Sequence, residues 1–318
     1  MEEIVRKIEE ELNIKSDDCV EKKNKEKILK YLNINVPIDD FCIEERIVQP
    51  FEYLITHHGK NFRQKLLLSL NYWTKAPAKV ENILSKISYI LHNLGLVMDD
   101  IQDLTMLRRG KPCVHLVYGM KRTMNLLYFL VGNCFEMMLT LDQPLAVNYL
   151  LDASRCLIQG QVMDVYWREN SICPTEDEYK SMVLRKTGAN FILMYGVLEI
   201  NSTEEIVNRP DIIRIVTNLG LYFQLNDDFI NLWNVEYQKS KGFCEDITEG
   251  KFSYPIIYVI NNFPEEGKIV KGILFLRAPS SLILILVAGP SPWVALSNGR
   301  TEHLREENRG SKNSGICN

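Results

Sequence analysis

Carboxylates and guanidinium groups are concentrated in one short stretch of the sequence, MDDIQDLTMLRRGKP, from Met98 to Pro112. On a helix, Asp99 and Asp103 project from the same side because they are four residues apart. Like charges held together need solvent, a partner cation or a divalent metal, and Mg2+ commonly shares carboxylates with a substrate's phosphates. The two arginines that follow suit phosphate as well. The pattern predicts a metal-dependent phosphate site, with a solvated charged helix end as the alternative.

A second acidic stretch, FQLNDDFIN, ends another apolar helix at residues 223–231. Asp227 and Asn231 repeat the four-residue spacing. Two helices that end in oxygen ligands can face each other across a cavity and hold several metal ions between them. In the alternative, Asp227 and Asp228 form an exposed pair. That is disfavoured because their helix is apolar on nearly all sides and unpaired carboxylates are rarely buried.

The elements that must position these groups are helices, since apolar residues recur at intervals of three and four along most of the chain. Alternating strand patterns are scarce. The periodicity predicts helices over residues 25–33, 43–56, 61–74, 80–104, 121–141, 144–168, 176–200, 211–235 and 253–262. No long low-complexity linker divides the chain before residue 270, so we expect one all-α domain.

Composition narrows the function classes. The 318 residues are 46% hydrophobic and 25% charged with a net charge of −4, which gives no electrostatic footprint for nucleic acid or for a basic membrane patch. The eight cysteines form no C-x-x-C pair and the N-terminus is charged, so we expect a reduced, cytoplasmic protein without a secretory leader. The most apolar stretch, residues 281–288, is too short to span a bilayer.

The sequence resembles the trans-isoprenyl diphosphate synthases, and most closely the eukaryotic geranylgeranyl diphosphate synthases. The two aspartate stretches look like that family's first and second aspartate-rich motifs. Further resemblance lies in GKNFR at 59–63, LHN at 91–93, RKTG at 185–188 and FCEDITEGKFSYP at 243–255. The resemblance implies a helical bundle of the isoprenoid synthase type around a central cavity, and it covers about residues 25–274.

This resemblance also implies roles for individual residues. Asp99, Asp103 and Asp227 would bind several Mg2+ ions, with Asp100 in support and Asn231 or a water completing the shell. The residues expected to hold the allylic diphosphate are Arg108, Lys186 and Lys241, with Lys251 nearby in a closing loop. Those expected to hold isopentenyl diphosphate are Lys60, Arg63, His92 and Arg109. Thr187 and Gln224 would line the path of the allylic cation.

The implied reaction is a head-to-tail condensation that makes geranylgeranyl diphosphate from farnesyl and isopentenyl diphosphates. The growing chain is expected to stop one helical turn before Asp99, at Leu94 and Gly95. Because Leu94 is large, a fifteen-carbon product stays an alternative. Another alternative is a terpene synthase, which would need no second diphosphate site. The implied assembly is a homo-oligomer, either a dimer or a multiple of dimers.

The C-terminal region departs from the family pattern after about residue 274. Pro279, Pro290 and Pro292, with Ser, Gly and Asn between them, do not support long helices. We therefore divide the chain into an N-terminal segment (1–24), a C-terminally incomplete helical domain (25–274) and an atypical, poorly ordered tail (275–318). An inactive or regulatory subunit is the functional alternative that this tail raises.

Overall fold

The computed structural model describes residues 43–55, 61–206, 209–233 and 244–276. The helices are α1 Ile43–Ile55, α2 Phe62–Thr74, α3 Ala78–Gln102, α4 Val114–Tyr118, α5 Met120–Leu139, α6 Pro144–Asn170, α7 Glu176–Val183, α8 Ala189–Ile200, α9 Arg209–Trp233, α10 Glu245–Thr248, α11 Tyr254–Asn262 and α12 Pro264–Leu276. Two short strands, β1 Leu107–Arg108 and β2 Lys111–Pro112, pair antiparallel. A π-helical turn, Leu184–Gly188, joins α7 to α8 and is called the π turn below. The all-α prediction is confirmed.

Most predicted helices appear within a few residues of their expected bounds. The helix predicted over 176–200 is not one continuous α-helix, because the π turn interrupts it after Val183. The helix predicted over 25–33 lies outside the described residues. Two short helices, the hairpin and α12 were not predicted. Signals for α12 were present, since Pro264 begins it and two glutamates follow in its first turn.

The core is centred on α8, which packs against α2, α3, α6 and α9. The sequence of α8 is almost wholly apolar, and Phe191, Met194 and Leu198 have no exposed surface. The side of α3 that carries Leu84, Ile87 and Ile90 is equally buried.

A second apolar cluster holds the C-terminal helices against α6 and α7. It contains Trp167, Tyr179, Met182, Val183, Phe252, Ile256, Ile257, Ile260 and Leu274. A capping box starts α7, in which the Thr175 hydroxyl accepts from the Glu178 N–H and the Glu178 carboxylate accepts from the Thr175 N–H. This cluster fixes the segment that carries Gly250 and Lys251.

The proposed domain bounds stay predictions at both ends of the chain. The segment 1–24 lies outside the described residues, as do residues 277–318 of the tail. The described helix α12 continues to Leu276 and so crosses the boundary that we placed at residue 274. No helix in the described part of the chain combines the length and the apolar character needed to cross a membrane.

Candidate active site

The first acidic stretch lies where α3 ends. The Asp103 N–H donates to the Asp99 carbonyl at 2.8 Å, and Leu104 then takes a left-handed conformation (φ 56°) that turns the chain away from the helix axis. The β1–β2 hairpin follows, and its turn residues Arg109 and Gly110 both have positive φ. Glycine suits such a turn. The hairpin brings Arg108 back towards the helix end.

Arg108 is held by the second aspartate of the motif. Its Nε donates to Asp100 Oδ1 at 2.8 Å, and its NH2 group also contacts that oxygen. Asp100 is 1% exposed. Burial and the neighbouring Asp100 raise the pKa of the Cys113 thiol to about 12, so the thiol stays protonated. The expected supporting role of Asp100 in metal binding stays a prediction.

Asp99 and Asp103 are surrounded by cations from three separate parts of the chain. Lys186 Nζ, from the π turn, lies 3.0 Å from Asp99 Oδ1. Lys251 Nζ, from the segment after α10, lies 2.7 Å from Asp103 Oδ2 and 3.6 Å from Asp99 Oδ2. Arg168 NH1, from α6, lies 2.5 Å from Asp103 Oδ1. The two carboxylates thus share the Lys251 ammonium group. Asp99 also pairs with Lys186, and Asp103 also pairs with Arg168.

The electrostatic effect of this arrangement is strong because the groups are screened from water. Burial opposes ionisation of Asp99, but the charges of Lys186, Lys251 and Arg108 outweigh it and hold the Asp99 pKa well below its usual range. Burial also opposes the charge on Lys251, yet Asp99, Glu249 and Asp103 raise its pKa well above normal. Asp99 is therefore ionised and Lys251 is charged at neutral pH.

Close backbone packing places the π turn between α6 and α9. A Cβ on Gly160 of α6 would collide with the backbone of Lys186, and one on Gly220 of α9 would lie 2.9 Å from the Gly188 Cα. Both helices can therefore approach the turn only at glycine. As a result Lys186 reaches Asp99, while its neighbour Thr187 faces α9.

The second acidic stretch has a different environment. Thr187 Oγ1 donates to Gln224 Oε1 at 2.9 Å, and Gln224 Nε2 donates to Asp228 Oδ1 at 2.9 Å. The other oxygen of Asp228 accepts from the Tyr179 hydroxyl at 2.5 Å and the Tyr254 N–H at 2.8 Å. Burial raises the Asp228 pKa, and these hydrogen bonds oppose the rise. Asp228 thus ties α9 to α7 and α11.

The other two polar residues of this stretch have separate surroundings. Asp227 is half-buried, and its charge opposes the fall in the Arg63 pKa. The Asn231 side-chain oxygen accepts from the Asp246 N–H at 3.3 Å, so it caps the start of α10. Within the described ranges, no three His, Cys, Asp or Glu side chains form a metal cluster by themselves.

A second group of cations lies beside the first acidic stretch. The Arg63 guanidinium is 5.7 Å from the Phe191 ring centre and 5.3 Å from that of Phe223. Burial and the nearby Arg109 lower the Arg63 pKa to about 10. Burial and the charges of Arg63, Arg109 and Arg108 hold the His92 pKa well below normal. The structure thus brings Arg63, His92 and Arg109 together, whereas Lys60 and Lys241 lie outside the described residues.

Sequence reasoning missed three buried polar residues on one face of α6: Gln161, Asp164 and Arg168. Gln161 Nε2 donates to Asp99 Oδ1 at 3.2 Å, and Asp164 Oδ2 accepts from Lys186 at 2.7 Å. Their spacing of three and four residues places them on one face of a helix. That spacing was the sequence signal that could have identified them. It was weak because such a face is usually exposed to solvent.

Comparisons with known proteins show which family this sequence belongs to. The sequence matches the Polyprenyl synthetase family over residues 44–281. It is 41% identical over 232 residues to a terpene synthase from Matsumurasca onukii, covering 73% of this chain and 75% of that protein. It is 37% identical over 242 residues to a geranylgeranyl pyrophosphate synthase from Dictyostelium discoideum, covering 76% and 77% respectively.

The fold is similar to a solved structure, the polyprenyl synthase from Caulobacter crescentus CB15 complexed with calcium and isoprenyl diphosphate. The TM-score is 0.67 at 22% identity, and the match covers 88% of this chain and 80% of that one. This likeness supports the all-α isoprenoid synthase fold. The family match spans most of the chain, and the sequence similarity to the two relatives extends over most of their own length. The chain therefore belongs to the polyprenyl synthetase family, as its two aspartate-rich motifs predicted.

Proposed function

We propose that this chain is a Mg2+-dependent prenyltransferase that condenses isopentenyl diphosphate with farnesyl diphosphate to give geranylgeranyl diphosphate. The observation that carries the proposal is the presence of two cationic groups beside one acidic helix end. Lys186 and Lys251 contact Asp99, whereas the charges of Arg63 and Arg109 act on His92, whose pKa is well below normal. A condensation of two diphosphates needs two anion sites.

The carboxylates suit a hard divalent cation. Asp99 and Asp103 can bind a cation only through oxygen atoms, which Mg2+ prefers. In this structure, their negative charges are neutralised by Lys186 and Lys251. We assign Asp99, Asp103 and Asp227 as the residues that would hold the metal ions. When bound, Mg2+ would neutralise the charge that builds on a leaving diphosphate as its C–O bond breaks.

The remaining residues then have distinct tasks in the proposed reaction. Lys186, Lys251 and Arg108 bind the allylic diphosphate, with Lys241 as a further candidate from the sequence motif. Arg63, His92 and Arg109 bind isopentenyl diphosphate together with Lys60.

The hydroxyl of Thr187 and the amide of Gln224 hydrogen-bond to each other at 2.9 Å beside Lys186. As uncharged dipoles, they stabilise positive charge on the allylic carbon without reacting with it. The isopentenyl double bond attacks that carbon, and the proton released on forming the new double bond passes to the departed diphosphate. The apolar helices keep water away from the cation.

The direct test is incubation of the purified chain with Mg2+, labelled isopentenyl diphosphate and each allylic diphosphate in turn. We expect a labelled twenty-carbon diphosphate with the farnesyl primer and none in the presence of a chelator. A product that stops at fifteen carbons would place the chain among farnesyl diphosphate synthases. Failure to incorporate label with any primer would refute the proposal.

A terpene synthase is the second candidate, because the Matsumurasca onukii relative carries that name. The same incubation without isopentenyl diphosphate tests it. A terpene synthase would release a hydrocarbon or alcohol from the allylic diphosphate alone, whereas a prenyltransferase would leave that substrate unchanged. The Arg63, His92 and Arg109 group favours the two-substrate reaction.

The proposal also includes a homo-oligomer, a dimer or a multiple of dimers, in the cytoplasm. Size-exclusion chromatography and cell fractionation test these two points. The atypical tail raises the alternative of a non-catalytic subunit. Joining residues 1–274 to the C-terminal helices of an active relative should raise turnover if the tail limits activity, and should leave it unchanged if the tail does not.

A further inference from the structure

The buried face of α6 has a residue to which neither the sequence motifs nor the proposed reaction gives a task. Arg168 lies near the C-terminal end of this helix, and its side chain is only 5% exposed. Its NH1 group lies 2.5 Å from Asp103 Oδ1, and its Nε lies 3.9 Å from Asp164 Oδ1. A buried guanidinium that contacts two buried carboxylates is costly to desolvate.

The two oxygens of Asp103 are held by different cations on different elements. Arg168 contacts Oδ1 from within α6, a helix of 27 residues that packs against the core. Lys251 contacts Oδ2 at 2.7 Å from the segment that follows α10, directly after Gly250 (φ 75°). Arg168 therefore approaches from a rigid element, and Lys251 from a short connection between two helices.

The two cations also differ in how easily they can leave. Lys251 has another acceptor, since its Nζ lies 3.0 Å from the Glu249 carboxylate, and its side chain is 16% exposed. An ammonium on a flexible chain can exchange partners, whereas a guanidinium fork is fixed by its plane.

We propose that Arg168 is a positioning residue that fixes Asp103 Oδ1, so that Oδ2, which Lys251 now occupies, is the oxygen presented to a divalent cation. This inference rests on the proposed function, since it concerns the same metal site. Groups that orient a metal ligand through a hydrogen bond or ion pair commonly change metal affinity by ten- to a hundredfold when removed.

The test measures metal binding directly. Mn2+ is titrated into the purified chain in the presence of inorganic diphosphate, and free Mn2+ is followed by electron paramagnetic resonance. We expect Arg168→Lys, which keeps the charge but loses the planar fork, to raise the Mn2+ dissociation constant at least tenfold. Arg168→Met should raise it further. Arg155→Met is the matched control on the same helix, because Arg155 is 69% exposed and pairs only with the exposed Asp152 among the described contacts.

A second measurement separates positioning from plain structural support. In an Asp103→Ala background, Arg168→Lys should change the Mn2+ dissociation constant less than twofold, because its proposed target is gone. Thermal unfolding of each variant is recorded alongside. If Arg168→Lys unfolds at a lower temperature but binds Mn2+ within twofold of the unchanged chain, Arg168 is structural only and the inference is overturned.

These readouts also separate the inference from the proposed function. A chain whose Mn2+ affinity depends on Arg168 but that makes no prenyl diphosphate supports the inference and refutes the function. A chain that makes geranylgeranyl diphosphate, but whose Mn2+ affinity does not depend on Arg168, supports the function and refutes the inference. Absence of Mn2+ binding in the unchanged chain overturns the inference.

Discussion

The two acidic helix ends have similar sequences but different physical environments. At the end of α3, Asp99 and Asp103 form ion pairs with Lys186, Lys251 and Arg168. On α9, Asp228 is buried among hydrogen-bond donors, and burial raises its pKa. In the proposed reaction, metal ions and a diphosphate would replace ion pairs of the first site. The second site contains a carboxyl group whose contacts hold three helices together.

This difference divides the second motif between two tasks. Asp228 uses both oxygens for contacts within the protein, and Asn231 caps α10. We propose Asp227 as the member of that motif that acts on a ligand, and its charge affects the pKa of Arg63. Adjacent residues on a helix point about 100° apart, so one can face the core while the next faces the site.

The largest expected effect is on turnover at the first helix end. Asp99→Ala should lower the rate of condensation about a thousandfold, because it removes a proposed metal ligand that stabilises the leaving diphosphate. The rate is measured with labelled isopentenyl diphosphate at saturating Mg2+. Asp152→Ala is the control, since Asp152 is exposed and distant in sequence from both motifs. An Asp99→Ala variant with half the normal rate would remove Asp99 from the site.

The next effect is on stability at the second helix end. Asp228→Ala should lower the free energy of unfolding by about 3 kcal/mol, since it leaves a buried donor on Tyr179 and part-buried donors on Gln224 and Tyr254 unpaired. Urea unfolding measures this change. Asp227→Ala is the matched neighbour and should lower turnover strongly with a smaller loss of stability. If Asp227→Ala proves the more destabilising of the two, our division of the motif is wrong.

A smaller effect is expected at Gln224, which connects the two regions through Thr187 and Asp228. Gln224→Leu should lower turnover about tenfold, because the loss of an oriented dipole near the allylic carbon is worth about one hydrogen bond, roughly 1.4 kcal/mol. Single-turnover kinetics report the chemical step. Asn226→Ala on the same helix is exposed and should leave the rate unchanged. Equal rates for both variants would contradict a role for Gln224.

The smallest effect concerns pH and the cationic side of the first region. The folded-state pKa of His92 is well below its usual value. As the pH falls, His92 therefore binds a proton in the unfolded chain before it does so in the folded chain. The stability contributed by neutral His92 is therefore present above about pH 6.5 and is lost as the pH falls below it. Urea midpoints between pH 8 and 5.5 should fall less steeply in His92→Asn than in the unchanged chain. A steeper fall would show that His92 is charged when folded.

Local sequence patterns predicted the helices and their ends well. The apolar spacing before Asp99 and the proline and glycine at 110–112 marked the end of α3, because such signals depend only on neighbours in the chain. The π turn could not be predicted in this way. It packs closely against two glycines, Gly160 and Gly220, that lie on other helices and are distant in the sequence.

The sequence by itself determined the all-α class, the family and the residues of the two acidic stretches, because helical periodicity and motif spacing are local properties. Only the tertiary structure decided which carboxylates are paired with cations and which are held by hydrogen bonds. Lys251 reaches Asp103 across a sequence separation of 148 residues, and Lys186 reaches Asp99 across 87. The charge state of a buried group depends on such distant partners. For that reason, two similar aspartate motifs came to have different tasks.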